Sequence, residues 1–386
     1  MNRKLRMGMI GGGLGSFIGN VHRMGAELDG HIELVCGAFS QDPEKSLESG
    51  RTYFIPEDRT YGTFQEMITK ENELPENDRM DFVSIVTPNH VHFEPTKLAL
   101  NNGFPVILDK PLCHTWDEAM ELKQLLEQVD LPFGLTHTYA AYPMVKQARV
   151  MVREGVIGQV TKINVEYPQG WLTEALEADN QKQASWRTDP AKTGISNCFG
   201  DIGTHAAQMA EYVSGLKIVK VLSQLSSVLS ERTLDDDANA LLEFEGGVRG
   251  LLSASQISSG EENGLKIRVY GTKGGLEWRH DDHNSLKHIR HDGATTLLRA
   301  GTNNAYLSEE ALAHCRVPAG HPEGYIEAFA NIYRNFAMEL NRHLNGVDYD
   351  CECYDFPGIE DGVRGMAHIK AMVDSTKKGN VWTQVI

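Results

Sequence analysis

Along the first third of the chain, short unbroken apolar runs alternate with segments whose apolar positions recur every three to four residues. Leu5 to Ile10, Ile32 to Phe39, Phe82 to Thr87, Val106 to Asp109 and Phe133 to Thr138 read as strands. Continuous apolar runs of this kind suit strands that are buried on both faces of a sheet. The helical period runs over Phe17 to Leu28, Phe64 to Glu71, Phe93 to Asn102 and Trp116 to Gln128. The last of these sets Ala119, Leu122, Leu125 and Leu126 at helical spacing, with Thr115 placed as N-cap and acidic residues in the first turn. Strand and helix in alternation predict an α/β fold with a doubly wound parallel sheet.

After Tyr142 the rhythm changes. Val160 to Tyr167 alternates apolar and polar, and Ile218 to Val228, Ala238 to Phe244, Val248 to Ile257 and Leu265 to Tyr270 follow at hairpin spacing, with Glu245-Gly246-Gly247 as one turn. Runs of strands after a strand-helix half predict a second, α+β domain with a large, predominantly antiparallel open sheet. The expected domains are residues 1–141 and 142–386. Two helices close the chain, Gly324 to Leu344 and Glu360 to Ser375, and the second is expected to pack back on the first domain. Residues 276–320 carry the weakest pattern, and no repeat or low-complexity linker separates the halves.

A length of 386 residues fits two domains, and the formal charge of −16 argues against nucleic acid, whose binding is driven by counterion release to basic patches. No run approaches the roughly eighteen apolar residues of a membrane helix. Met1-Asn2-Arg3-Lys4 leads directly into the first strand, so no membrane partner and a cytoplasmic location are expected. The six cysteines lack a paired zinc spacing, and Cys351-x-Cys353 has no second pair. His280, His283, His288 and His291 stand among Asp281, Asp282, Asn284 and Asp292, a composition that suits a solvated hairpin. No metal site is expected.

Three segments carry candidate chemistry. Gly11-Gly12-Gly13-Leu14-Gly15-Ser16 follows a strand and opens a helix, the setting in which backbone N–H groups at a helix N-terminus hold a pyrophosphate. Gly11 is expected to make the tight turn, Gly13 to admit the pyrophosphate, and Ser16 to stand in the third glycine position, where it still allows close helix packing. At the end of the second strand Phe39-Ser40-Gln41-Asp42 offers neither an acid for the ribose nor an adjacent arginine, so Ser40 is the expected contact to the ribose or a 2′-phosphate, and NAD is favoured over NADP. Asp109-Lys110-Pro111 closes the strand at Val106, where ligands of open α/β sheets bind, with Pro111 holding Lys110 extended. In the second domain Gly200-Asp201-Ile202-Gly203-Thr204-His205 leads into a helix, and the four-residue spacing puts Asp201 and His205 on one face, a carboxylate able to orient a base.

Together these motifs resemble the Gfo/Idh/MocA family of oxidoreductases, with Asp109 where many members have Glu. The resemblance extends to Thr87-Pro88-Asn89-His90-x-His92, to Gly155-Val156-Ile157-Gly158 and to Tyr270-Gly271-Thr272-Lys273-Gly274-Gly275-Leu276. It implies an N-terminal Rossmann domain that binds NAD or NADP through Gly11, Gly13, Leu14, Gly15, Ser16, Ser40, Thr87, Pro88, Asn89, His92, Asp109 and Lys110. It also implies that Lys110, Asp201 and His205 converge beside the nicotinamide, with His205 as base, Asp201 as its orienter or relay, and Lys110 as stabiliser of the developing oxyanion or as proton donor. The implied substrate is a cyclic sugar, glycoside or inositol, gripped by His137, Tyr139, Gln169, Trp171, Trp186, Arg187 and His205. Relatives of this architecture include NAD-dependent glycosidases that oxidise transiently, and a non-catalytic dinucleotide sensor is the remaining alternative. The open sheet of the second domain implies a homodimer or homotetramer.

Overall fold

The computed structural model describes residues 3–179, 181–230 and 232–386. It divides into two compact units: the chain through Thr138 together with Tyr325–Val363, and Tyr139–Gly324 together with Arg364–Ile386.

The first unit is built on parallel strands β1 (Leu5–Gly11), β2 (Ile32–Ala38), β3 (Phe82–Val86), β4 (Val106–Leu108) and β5 (Phe133–Leu135), in the order β2-β1-β3-β4-β5. Met7, Met9, Phe82, Val83, Ile85, Ile107 and Leu108 are buried, as strands covered on both faces require. Helices α1 (Phe17–Glu27), α2 (Pro43–Thr52), α3 (Phe64–Glu73), α4 (Phe93–Asn101) and α5 (Trp116–Gln128) connect them. Thr115 caps α5 reciprocally with Glu118, the arrangement its sequence predicts. α2 lies outside the predicted elements because its buried residues are Ser46, Ser49 and Gly50, which leave no apolar period to read. The strand order reverses between β1 and β3, so a crevice opens beyond their C-termini, at Gly11 and Thr87.

The second unit begins with α6 (Pro143–Arg153) and β6 (Val160–Pro168), continues through the short helices α7 (Lys182–Arg187) and α8 (Pro190–Thr193), and reaches α9 (Thr204–Ser214). Strands β7 (Ile218–Ser226), β8 (Asp237–Phe244), β9 (Arg249–Ser255), β10 (Lys266–Gly271), β11 (Gly274–Arg279), β12 (Ser285–Arg290) and β13 (Thr296–Arg299) follow, then α10 (Glu309–Ala313). The sheet is antiparallel apart from the parallel pair β6/β9. Its alternation is plain in β8, where Ala238, Ala240, Leu242 and Phe244 are buried and Leu241 is exposed. The weakly patterned 276–320 stretch thus supplies sheet strands and a helix. It escapes prediction because β12 and β13 are polar and partly exposed.

The two terminal helices are divided between the units. α11 (Tyr325–Asn345) belongs to the first unit: Phe329 fits against Gly25, and the Phe336 ring lies 5.2 Å from that of Phe82. α12 (Ile359–Lys377), expected to pack back on the first domain, begins in the first unit, where Glu360 pairs with Lys123 at 2.8 Å and a Cβ at Gly362 would lie 3.0 Å from Leu112 Cβ, and joins the second unit from Arg364 onward. There the Ser223 hydroxyl donates to the Met372 carbonyl at 2.7 Å and Ser223 N–H to the Ser375 hydroxyl at 2.9 Å. Strand β14 (Thr383–Gln384) then completes the sheet order β13-β12-β11-β10-β6-β9-β8-β7-β14. Among the described residues no helix is long and apolar enough to cross a membrane, and no cluster of His, Cys, Asp or Glu has a metal-binding arrangement.

Candidate active site

In the first unit the glycine loop leaves β1 through Gly11, whose φ is +79° and where a Cβ would meet the Val86 carbonyl oxygen at 2.4 Å. A side chain is excluded there on both counts. A Cβ at Gly13 would lie 2.7 Å from the Phe39 carbonyl oxygen and 2.9 Å from the Ser49 hydroxyl, so Gly13 is fixed by the exit of β2 and by α2. Ser16 does not occupy the packing position: its backbone is extended and its side chain caps α1 by accepting from Gly19 N–H at 3.1 Å. The close approach of helix to loop is made at Gly19, where a Cβ would meet Gly12 Cα at 2.4 Å. Leu14 N–H donates to Ser49 Oγ at 3.0 Å, tying the loop to α2, and Gly15, at φ +78°, faces open space. Ser40 is half-buried and its hydroxyl accepts Asp42 N–H at 3.1 Å, which still leaves its own proton to donate.

At the far side of the switch point the Thr87 hydroxyl is buried without a hydrogen-bond partner in the protein. A buried polar group of this kind calls for a ligand partner. Pro88 leads into a turn over Asn89–Val91, and Asn89 is buried. His92, expected at the cofactor, is fully buried instead, its ring nitrogens 2.7 and 2.8 Å from the carbonyl oxygens of Pro111 and Thr87. It straps the β3 exit to the Lys110–Pro111 segment, whose connecting peptide is cis. Burial holds the His92 pKa low, against the opposing charge of Asp109.

Asp109 accepts the Thr136 hydroxyl at 2.7 Å and Lys110 N–H at 3.0 Å, and lies 3.7 Å from Nε2 of the buried His22. Burial pushes its carboxyl up, but His22, the Lys110 charge and Thr136 outweigh it and hold the group well below the usual carboxylate range. His22 in turn meets the Tyr333 hydroxyl at 2.7 Å, and Tyr333 meets Ser84 at 2.7 Å. A buried polar chain from α1, α11 and β3 therefore backs the Asp109–Lys110 step, and nothing in the strand period announces it. His137 is buried beyond β5. The glycine loop, the α1 N-terminus and the unpartnered Thr87 hydroxyl fit a bound dinucleotide.

In the second unit Asp201 lies in a wide helical turn, Phe199–Gly203, in which Thr204 N–H reaches back to the Phe199 carbonyl, and His205 follows in the first turn of α9. The turn is pinned from below by buried Asp235, which accepts Phe199 N–H at 2.8 Å, Asn197 N–H at 2.9 Å and the Ser196 hydroxyl at 3.0 Å. Asp201 Oδ2 accepts from Arg187 Nε at 3.1 Å and from Gln256 Nε2 at 2.9 Å. The Arg187 guanidinium lies 4.3 Å over the Trp186 ring and 5.9 Å over that of Trp171.

On the other flank the Tyr139 ring meets that of His205 edge-on at 4.9 Å. The Tyr139 and Tyr167 hydroxyls are bonded to each other, and Tyr167 donates to Asn263 Oδ1. Gln169 Nε2 donates to the same oxygen at 2.8 Å, while Gln169 Oε1 accepts from Trp171 Nε1 at 3.1 Å. Burial pushes the Tyr139 phenol up, and its bonds to Tyr167 and Asn263 offset this only in part. Tyr139, Gln169, Trp171, Trp186, Arg187, Asp201 and His205 thus form one connected polar and aromatic wall. Gln256 and Asn263, absent from the sequence reading, are its links. Their only signal is position, just past β9 and just before β10.

Two family descriptions match the chain. Residues 5–137 match "Oxidoreductase family, NAD-binding Rossmann fold", and residues 145–277 match "GFO/IDH/MocA C-terminal domain". An uncharacterized oxidoreductase of Bacillus subtilis, YfiI, is 32% identical over 388 residues, covering 100% of this chain and 98% of its own length. An inositol dehydrogenase homolog of Azotobacter vinelandii, solved with NAD+, superposes with a TM-score of 0.93 at 34% identity, over 99% of this chain and 97% of its own. Levoglucosan dehydrogenase of Pseudarthrobacter phenanthrenivorans is 24% identical over 315 residues, 74% of this chain and 76% of that protein.

Proposed function

The chain belongs to the GFO/IDH/MocA family of oxidoreductases, with an NAD-binding Rossmann fold, and from that premise we propose that it oxidises a secondary hydroxyl of a cyclic sugar, glycoside or inositol to a ketone. The observation that carries the reading is the wall around Asp201 and His205. It joins the His205 ring, through Tyr139, to the Asp201 carboxylate held by Arg187 and Gln256, and adds aromatic faces and amide groups, the surfaces that grip a polyhydroxylated ring. NAD, when bound, supplies the acceptor for a hydride.

His205 takes the hydroxyl proton as the C–O bond becomes C=O and the hydride leaves the same carbon, so that alcohol and NAD+ give ketone, NADH and a proton. Asp201 fixes the imidazole and stabilises its charged form. The family resemblance gives the Lys110 ammonium the part of balancing the developing alkoxide, a task for which a fixed charge suffices. NAD is preferred to NADP because Ser40 can donate to a ribose hydroxyl, whereas a 2′-phosphate needs a cation that the Phe39–Asp42 segment does not carry. Free thiols at all six cysteines suit a cytoplasmic enzyme. The exposed Leu241 and Leu251 on the open face of the sheet suit assembly into a homodimer or homotetramer.

The test is formation of NADH or NADPH over a panel of inositols, anhydrosugars and free sugars with NAD and with NADP. Turnover of at least one cyclic polyol, faster with NAD, is expected. Bound cofactor with no turnover of any cyclic polyol would overturn the reading.

A further inference from the structure

Arg187 looks at first like a substrate cation, since it stands among tryptophans at the head of the acid-base helix. Two of its three nitrogens are engaged within the protein. Nε is on Asp201 Oδ2, Nη1 is on the Gln183 side-chain oxygen at 2.6 Å, and the guanidinium plane is stacked on Trp186. Both members of the ion pair are sheltered, with Arg187 21% and Asp201 17% exposed. Gln256 has no exposure, and its side-chain oxygen accepts Asn197 Nδ2 at 3.0 Å, so its amide N–H group can only point at Asp201.

We propose that Arg187 is a positioning residue for the hydride-transfer reaction: with Gln256 it locks Asp201 through Oδ2 in the orientation that serves His205. The inference rests on the reading of Asp201 and His205 as the acid-base pair. Two donors on one oxygen fix the carboxylate plane, which a single bond leaves free to swing. The positive charge also offsets that of Asp201, so that the carboxylate orients the imidazole without making it too readily protonated. Two further titratable groups feel the Asp201 charge, the Tyr139 phenol and the Cys198 thiol, and burial keeps both neutral. Asp235, Asp236 and Asp237 add negative charge around Cys198. Arg187 is a cation paired with Asp201 itself.

Arg187→Gln keeps a polar side chain but removes the charge. It should lower kcat by about 10–100-fold while KM moves less than about threefold, because the lost interaction acts on the reacting state and not on substrate binding. The acid limb of the kcat profile should rise by about 0.5–1 pH unit, since His205 protonates more easily beside an unbalanced carboxylate. Arg187→Lys, which retains the charge without the fork, should restore the limb but only part of kcat. It also serves if the glutamine variant does not fold. Asp201→Asn separates the two levels. If it leaves kcat and the limb intact, the acid-base reading fails. If it abolishes them while Arg187→Gln raises KM tenfold with kcat and limb unchanged, Arg187 is a substrate contact and only this inference falls.

Discussion

Replacing Gly19 by alanine adds one methyl group where the fold has no room for it. The new Cβ would lie 2.4 Å from Gly12 Cα, 2.5 Å from its carbonyl oxygen and 2.8 Å from its carbonyl carbon. Carbon atoms in comfortable contact sit about 3.5–4.0 Å apart, so helix and loop must part by about 1 Å. Both sides of the contact are backbone, and the Gly12 carbonyl is further held by Arg23 Nη1 at 2.9 Å, whose guanidinium rests 3.6 Å over the Tyr53 ring. Overpacking of this kind costs about 1–3 kcal/mol, and a clash with backbone belongs at the upper end. The expected result is a fall in Tm of about 4–10 °C and NADH binding at least about tenfold weaker, because the loop that moves is the one that carries the dinucleotide. Differential scanning fluorimetry and NADH fluorescence titration read the two effects. Gly365→Ala, in α12 where an added Cβ meets nothing within 4 Å, is the control and should be neutral or stabilising by up to about 1 kcal/mol. A Gly19→Ala protein that melts within about 1 °C of wild type and binds NADH equally well would refute the packing argument.

Glu211 accepts Ile218 N–H at 2.9 Å and is paired with Arg364 and His368; burial pushes its carboxyl up, but these partners hold it well below the usual range. A depressed folded pKa contributes stability above about pH 4.5 that is lost as pH falls towards the folded value, so Glu211→Gln should flatten the acid side of the stability profile and cost about 3–5 kcal/mol at neutral pH in urea melts. Asp109→Asn removes the charge that Thr136, the Lys110 N–H group and His22 surround, and should cost about 1.5–3 kcal/mol at pH 7 but nearly nothing once the wild-type carboxyl is protonated in acid. Equal losses at both pH values would contradict a charge-based role for Asp109.

The first sheet is legible in the sequence because its strands are buried on both faces and bounded by turn residues, and α5 because Thr115 and Glu118 announce its start. Where polar residues are buried, the pattern goes silent. α2 buries serines, and α6 buries Lys146 and Gln147 along with Met144, Val145 and Ala148, which blurs its apolar stripe. The return of α11 to the first unit depends on Phe329, Tyr333 and Phe336 finding partners some three hundred residues away, such as His22 for Tyr333 at a separation of 311. A local period cannot encode such a choice. The same holds in the site. Asp201 and His205 are visible as a spaced pair, but Gln256 reaches Asp201 across 55 residues and Asn263 reaches Tyr139 across 124, through sheet register alone. The third motif position misled, since close packing falls to Gly19 and Ser16 caps the helix.

The central claim is that His205 is the base of a nicotinamide-dependent alcohol oxidation, and single-turnover NADH formation by His205→Asn tests it most directly. On the best substrate of the cyclic polyol panel, the rate should fall by about 10²–10⁴-fold, with NADH affinity and Tm close to wild type. A variant that forms NADH within about threefold of the wild-type rate across pH 6–9 would contradict the assignment.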